Sequence, residues 1–310
     1  MVVSVKDTEL GSVSGKRSWC LRGVDNTMIT ITGASGQLGR ELTKALEQRV
    51  SPSKVRLGTR NPEKIAAAAA SGFQTASVDF DDVESMKRAF DGSEVVFIIC
   101  GDSSNDIRMQ QHRRAIDAAK AANVGRVVYT SFVNPKKESL FPFAAVHEDS
   151  ETYLRASGLN YTFLRNNHYA ENLNKALEVA KSTGTLSLPG ADGKVAYICR
   201  ADVAAATAGV LTAAGHDNKS YELTGSAALD LSEVAGMASS AWGKPIVARD
   251  MDPDAYRDVL AKRGLPAFAI DAQVGIRMAA GAGEYCEVTP DASVLAGRPL
   301  ASFADHLKGT

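Results

Sequence analysis

Gly33, Gly36 and Gly39 sit in the stretch Met28-Ile29-Thr30-Ile31-Thr32-Gly33-Ala34-Ser35-Gly36-Gln37-Leu38-Gly39-Arg40, and their spacing speaks of phosphate binding. A β-branched apolar run leads into the glycines and a helical pattern follows at once. That order predicts a strand, a tight turn and a helix N-terminus. Gly33 lets the chain turn off the strand, Gly36 lets a pyrophosphate approach bare backbone, and Gly39 lets the helix pack closely on the sheet. Unpaired N–H groups in the first helical turn, with the helix dipole, attract phosphate. Gly33, Ala34, Ser35, Gly36, Gln37, Leu38 and Gly39 are therefore the expected nucleotide loop. The spacing is Gly-x-x-Gly-x-x-Gly rather than Gly-x-Gly-x-x-Gly. Glycines alone also fit an ordinary loop, but the flanking strand and helix favour the nucleotide.

A dinucleotide with a free ribose 2′-OH usually meets Asp or Glu about 20 residues past the glycines, at the end of the second strand. Here that region reads Leu57-Gly58-Thr59-Arg60-Asn61, with no acid. Arg60 can fork onto a 2′-phosphate and stack on adenine. NADP(H) is expected rather than NAD(H), against the alternative of a solvated surface arginine. Ligands of open α/β sheets lie at the carboxyl ends of strands. Further contacts are therefore expected from Asp79 and Phe80 beside the adenine, and from Cys100 and Gly101 beside the ribose and pyrophosphate. Thr130, Ser131 and Phe132 are expected nearer the nicotinamide. Asp79 reads equally as a helix N-cap, and Cys100 as a buried strand cysteine.

Short-chain dehydrogenases typically use Tyr-x-x-x-Lys for proton transfer. None of the eight tyrosines has a lysine four residues on. Where that helix should start, the chain reads His147-Glu148-Asp149-Ser150-Glu151. Alcohol oxidation by the tyrosine mechanism is disfavoured. His147 is a candidate proton donor, one helical turn from Glu151 and able to pair with it; a structural histidine is the alternative. His147 and His168 are too few for a zinc centre, so no metal is expected. Gly-x-Ser-x-Gly is absent, which argues against an α/β-hydrolase.

These residues need a scaffold that brings strand ends together. Strands at Met28–Thr32, Val55–Thr59, Phe73–Val78, Glu94–Cys100, Arg126–Ser131 and Asn160–Arg165 alternate with amphipathic or alanine-rich helical segments. The pattern implies an α/β fold: a doubly wound parallel sheet forming a Rossmann-like NADP-binding domain. That domain is expected over residues 28–165, with 194–225 returning to it. Residues 166–193 and 226–310 read as a smaller, mostly helical substrate lobe with little sheet. Residues 1–27 read as a flexible extension.

A chain of 310 residues with a formal net charge of -1 is large enough for this core and carries no bias towards nucleic acid. No apolar run is long enough to cross a membrane, and no signal-peptide core is present. The four cysteines are Cys20, Cys100, Cys199 and Cys286, far apart and without a Cys-x-x-Cys pair. A reducing, cytoplasmic setting follows as the expectation. A small-molecule substrate is the expected partner, and a homo-oligomer is compatible with the sequence.

The loop Gly33–Gly39 is followed in order by Arg60-Asn61-Pro62, Tyr129-Thr130-Ser131, His147–Glu151, Leu164–Asn172 and Arg200-Ala201-Asp202. Ala213–Leu223, Thr289-Pro290-Asp291 and Leu295–Leu300 continue the series. Together these resemble the NmrA-like branch of atypical short-chain dehydrogenases. Within it they resemble the types represented by NADPH-dependent quinone oxidoreductase type 2 and triphenylmethane reductase. The resemblance runs from Met28 nearly to the C-terminus. It implies NADPH as hydride donor, a quinone or similar flat conjugated acceptor, and a cleft between domain and lobe. The bend Arg165–Tyr169 would lie at the nicotinamide, with Asn167 and Tyr169 as candidate hydrogen-bond partners of the acceptor. Two positions depart from the pattern: His168 replaces an aromatic residue, and Thr152 replaces a lysine. The alternative is an NADP-binding redox sensor without turnover.

Overall fold

Runs of Val, Ile and Phe this apolar form strands only where helices cover both faces of a sheet, and the chain supplies those helices between them. The computed structural model describes residues 27–310. The extension expected over residues 1–27 lies, but for Thr27, outside the described residues, as does Cys20. The strands are β1 (Ile29–Ile31), β2 (Val55–Thr59), β3 (Gln74–Ser77), β4 (Val95–Ile98), β5 (Arg126–Phe132), β6 (Asn160–Asn166), β7 (Thr185–Leu188), β8 (Lys219–Leu223) and β9 (Val247–Asp250). Between them run the helices α1 (Gln37–Glu47), α2 (Ala66–Ala70), α3 (Val83–Phe90), α4 (Asn105–Ala121), α5 (Ala144–Ala156), α6 (Asn174–Thr183), α7 (Arg200–Leu211), α8 (Leu231–Trp242), α9 (Pro253–Lys262), α10 (Ala267–Gly281), α11 (Asp291–Ala296) and α12 (Phe303–Leu307).

Seven strands form one parallel sheet in the order β3-β2-β1-β4-β5-β6-β8. The chain starts at β1, winds outward through β2 and β3, then returns to the other side at β4. This reversal opens a crevice between the carboxyl ends of β1 and β4, where ligands of such sheets bind. Helices α1, α7 and α11 pack together on one face, and α3, α4 and α5 on the other. The expected doubly wound sheet is thus the fold.

In the segments expected to form a smaller lobe, a further core gathers Leu177, Leu186, Leu188, Val234, Ile246, Tyr256, Leu260 and Ile270. Two features of it were not read from the sequence. Val247–Asp250 is a strand, paired in parallel with β7. Helix α11, inside the segment assigned to the lobe, packs instead on α7 and β8, and Ala292 and Ala296 join the core of the large sheet.

The turn after β1 shows why its glycines are required. Gly33 has φ +63°, a left-handed conformation that side chains rarely adopt. A Cβ on Gly39 would stand 2.5 Å from the Gly33 carbonyl oxygen and 2.7 Å from Ala34 Cα. Those are backbone atoms with nowhere to swing. Gly39→Ala should therefore destabilise the fold by about 1–3 kcal/mol, read as a lower urea midpoint. It should weaken cofactor binding in parallel, because relief comes only by moving the loop.

Candidate active site

A cleft follows the carboxyl edge of the sheet. Its first part, about 300 Å³, is lined by Gly33, Ser35, Gly36, Arg60, Asp79, Phe80, Cys100 and Gly101, with Lys64 and Gln111. Its second part, about 610 Å³, is lined by Gly36 to Gly39, Cys100, Thr130, Ser131, Phe132, His147 and Asn166 to Tyr169. Ala272, Gln273 and Ile276 of α10 close it from the lobe side. Gly36, Ile99, Cys100 and Asp102 line both parts, so the cleft is continuous. Every site residue expected from the sequence borders it except Ala34, which is buried in the core of the sheet. Lys64, Gln111 and the α10 residues were not anticipated. Lys64, one helical turn after Arg60, could have been; nothing in the sequence marks the α10 positions.

The first part suits a phosphorylated dinucleotide. Gly36 is the N-cap of α1, no side chain caps that end, and its first turn holds no acid. The leading N–H groups are left for an anion. Ser35 Oγ lies 2.9 Å from Thr59 Oγ1, and Arg40 donates to the Ser35 carbonyl at 2.7 Å, so the loop is held at both flanks. Arg60 is exposed just past β2, and its guanidinium has no hydrogen bond or ion pair among the described residues. Asp79 does not cap a helix. Its carboxylate accepts from the Asp81 amide, and the N-cap of α3 is Asp82. Cys100 donates to the Thr130 carbonyl at 2.9 Å, and burial pushes its thiol up to about 11. It is the protonated strand-end cysteine rather than a nucleophile.

In the second part His147, Asn166, Asn167 and His168 are buried, while Asp102 is exposed and Arg200 half-buried at its border. His147 Nδ1 lies 3.1 Å from Tyr129 Oη, which lies 3.1 Å from His112 Nδ1. His112 Nδ1 is also 2.9 Å from Ser150 Oγ, which donates to the Val146 carbonyl. Ser150 therefore accepts from His112, Tyr129 donates to His147, and the proton of His147 is assigned to Nε2. That N–H is free for the cavity. Burial first, then the nearby Arg108 cation, lowers the His147 pKa to about 3, so the ring is neutral. Phe132 stacks on it with ring centroids 6.2 Å apart.

Glu151, the expected partner of His147, is engaged elsewhere. Its carboxylate is 1 % exposed and accepts from Ser131 Oγ at 2.7 Å, from Arg165 Nε and Nη2 at 2.8 and 2.7 Å, and from Arg155 at 3.0 Å. Arg165 also donates to Glu222 at 2.8 Å. Ser131, Arg165 and Glu222 stand in one register row across β5, β6 and β8. The network fixes the ends of the strands that carry the site.

The bend after β6 is held from several sides. Asn167 donates to the Tyr285 carbonyl at 3.0 Å and accepts from the His168 amide at 2.8 Å. Asn166 donates to Tyr169 Oη at 2.9 Å, and the Arg200 guanidinium lies over the Tyr169 ring. Burial pushes the Tyr169 hydroxyl up to about 12, so it stays protonated. His168 packs among Phe132, Tyr197 and Tyr285. One further group of metal-capable atoms occurs among the described residues, from Glu171, Cys199 and His306. None of the three lines the cleft, His306 Nε2 is bonded to Asn174, and burial raises the Cys199 thiol to about 12.

Residues 33–214 match the family described as NAD(P)H-binding, and the chain belongs to that family. Quinone oxidoreductase 2 of Escherichia coli is 35 % identical over 282 residues, covering 90 % of this chain and 97 % of that protein. The Escherichia coli enzyme's structure with NADPH matches with a TM-score of 0.86 over 91 % of this chain and 99 % of the other. Triphenylmethane reductase of Citrobacter sp., complexed with NADP(H), matches with a TM-score of 0.85 at 30 % identity, over 91 % of this chain and 99 % of that one. The resemblance drawn from the motifs stands.

Burial holds the pKa values of His147 and His168 at about 3 and that of His112 well below 6.5. Above pH 6.5 these rings are neutral in both folded and unfolded chains. As the pH falls below 6.5 only the unfolded chain takes up protons, so stability is lost towards pH 3. Each histidine should contribute about 1.4 kcal/mol per pH unit to that slope. Urea midpoints should drop between pH 7 and pH 5, and His168→Phe should flatten the drop by about one histidine's share. An unchanged slope would show that His168 is not held neutral.

Proposed function

We propose that the protein is an NADPH-dependent oxidoreductase that transfers a hydride to a quinone or similar flat conjugated acceptor. The observation that carries this reading is the junction of the two parts of the cleft. A cofactor stretched from Arg60 along the Gly33–Gly39 loop would end beside Thr130, Ser131 and Phe132. There the wall carries the rings of Phe132, Phe141 and Phe143 and the neutral side chains of His147 and Tyr169. The names of the two relatives above, a quinone and a triphenylmethane reductase, support the same chemistry.

Bound NADPH supplies the hydride. The chain's own residues bind, orient and stabilise. Arg60 and Lys64 attract the 2′-phosphate that separates NADP(H) from NAD(H). The α1 N-terminus takes the pyrophosphate. Phe132, Phe141 and Phe143 line the space for a flat acceptor with aromatic carbon. His147 Nε2–H donates to the acceptor oxygen that gains negative charge, acting as a neutral imidazole. With its pKa near 3 the ring stores no proton at neutral pH, so the proton that completes reduction comes from water. Tyr169 offers a second donor, its hydroxyl, and Asn167 is a positioning residue that holds the bend. A conjugated ring delocalises the incoming electron pair, so Tyr-x-x-x-Lys is dispensable. The three described cysteines are free, in keeping with a reducing cytoplasmic setting for a small-molecule enzyme. Among the described residues no helix is long and apolar enough to cross a membrane.

The purified protein should oxidise NADPH only when a quinone is added. Binding of NADPH without oxidation by any of several quinones would replace this reading with a redox sensor. Arg60→Glu should weaken NADPH roughly tenfold or more and NADH little, by loss of charge-assisted hydrogen bonds; titration of both nucleotides decides it. His147→Phe should lower kcat roughly a hundredfold with a small change in KM, as for removal of one oxyanion donor.

A further inference from the structure

The smaller lobe contains another cavity of about 360 Å³, bordered by α6, β7, α9 and α10. Leu173, Val179, Tyr256, Leu260 and Leu265 give it an apolar lining. His168, Asn172, Gln273 and Ile276 line both this chamber and the hydride-site cavity, so the two adjoin across these side chains. Gln273 is exposed and its side chain makes no hydrogen bond among the described residues, so a rotamer change can open the threshold. His168 Nε2 is buried and has no hydrogen-bond partner among the described residues. A buried polar atom left unpaired in this way calls for a ligand group.

Resting on the reading above, we infer that the acceptor is elongated: its conjugated head occupies the hydride site and an apolar arm enters the inner chamber past His168. The volume holds roughly ten non-hydrogen atoms at about 30 Å³ each. A carbonyl or hydroxyl where head meets arm would satisfy His168 Nε2, whose ring is kept neutral by burial and by Arg277. The charged residues lining the chamber are Lys175, Arg263 and Arg277, with no carboxylate among the lining. Among the described residues Arg277 is 4 % exposed and donates only to the carbonyls of Pro189 and Gly190 and to Tyr197 Oη, so none of them pairs its charge with an acid. The arm is therefore neutral or anionic, and a cationic end is rejected. Each methylene buried in such a chamber strengthens binding about fourfold at most.

The test uses 2-methyl-1,4-naphthoquinone bearing methyl, pentyl or decyl at its 3-position, titrated calorimetrically into the NADP⁺-saturated protein. The decyl compound should bind at least tenfold tighter than the methyl one. A trimethylammonium group on the arm should abolish the gain. Ala176→Phe and Val179→Trp, which fill the chamber from partly exposed and exposed positions on α6, should bring the methyl-to-decyl ratio of dissociation constants close to one. A ratio within twofold in the unaltered protein, or a ratio undiminished in both variants, overturns the inner chamber. Because NADP⁺ delivers no hydride, this reading is separate from turnover. Arm discrimination without NADPH oxidation overturns the reductase and leaves the chamber. Oxidation without arm discrimination does the reverse.

Discussion

Glu151 is 1 % exposed, and a carboxylate taken out of water is tolerated only when its oxygens are fully matched by donors. Ser131, Arg155 and the fork of Arg165 provide that match, and Arg165 passes the connection on to Glu222. The three strand residues involved lie side by side on β5, β6 and β8. A slip of one residue between β5 and β6 would move Arg165 out of line with Ser131 and weaken the match to the buried Glu151 carboxylate. The register of the sheet is therefore locked at the edge where function gathers. One step further along each strand lie Phe132, Asn166 and Leu223, followed by the bend that presents Asn167, His168 and Tyr169. Geometry at the cleft rests on this ionic tie, which itself touches no acceptor in the scheme proposed.

The two parts of the cleft use opposite physics. The first keeps cations and uncapped backbone amides near water, where they can meet a polyanion. The second buries His147 and His168, and burial, with the Arg108 and Arg277 cations nearby, holds both rings neutral near pKa 3, while the Cys100 thiol near 11 and the Tyr169 phenol near 12 stay protonated. Neutral donors among aromatic rings suit a flat, uncharged acceptor whose charge appears only during reaction. The buried chain from His112 through Tyr129 to His147 sets the tautomer, so the available N–H faces the cavity without a charged partner.

What the sequence made legible and what it concealed divide along physical lines. Gly33 and Gly39 were readable because backbone constraint is local: a left-handed φ or a 2.5 Å clash admits nothing else. The strand β4 was readable because burial on both faces demands unbroken apolar residues, and β5 because its centre, Val127 to Tyr129, is equally apolar. Val247–Asp250 was not. Three of its four residues are exposed, and it is a strand only because β7 lies alongside. Glu151 looked like a partner for His147 because helical spacing permits that contact, whereas the donors that claim it are Arg155 one turn on along the same helix and Ser131 and Arg165 from two strands. Gln273 and Ile276 belong to no motif. They reach the cleft because α10 folds over it, which only tertiary packing decides.

Helix α1 begins at Gly36 with no capping side chain and no acid in its first turn. An end of this kind forgoes the stabilisation, typically about 1 kcal/mol, that a serine or aspartate cap would give. A sequence that supplied its own cap would be sturdier alone, but it would fill the space a phosphate needs. Folding and occupancy are thereby linked by mass action: free cofactor at a hundred times its dissociation constant adds about 2.7 kcal/mol to the native state. The fraction of chain that is folded then rises and falls with the free cofactor. Depletion of that cofactor would remove the enzyme's substrate and, through the same uncapped helix, lower the folded fraction of the enzyme itself.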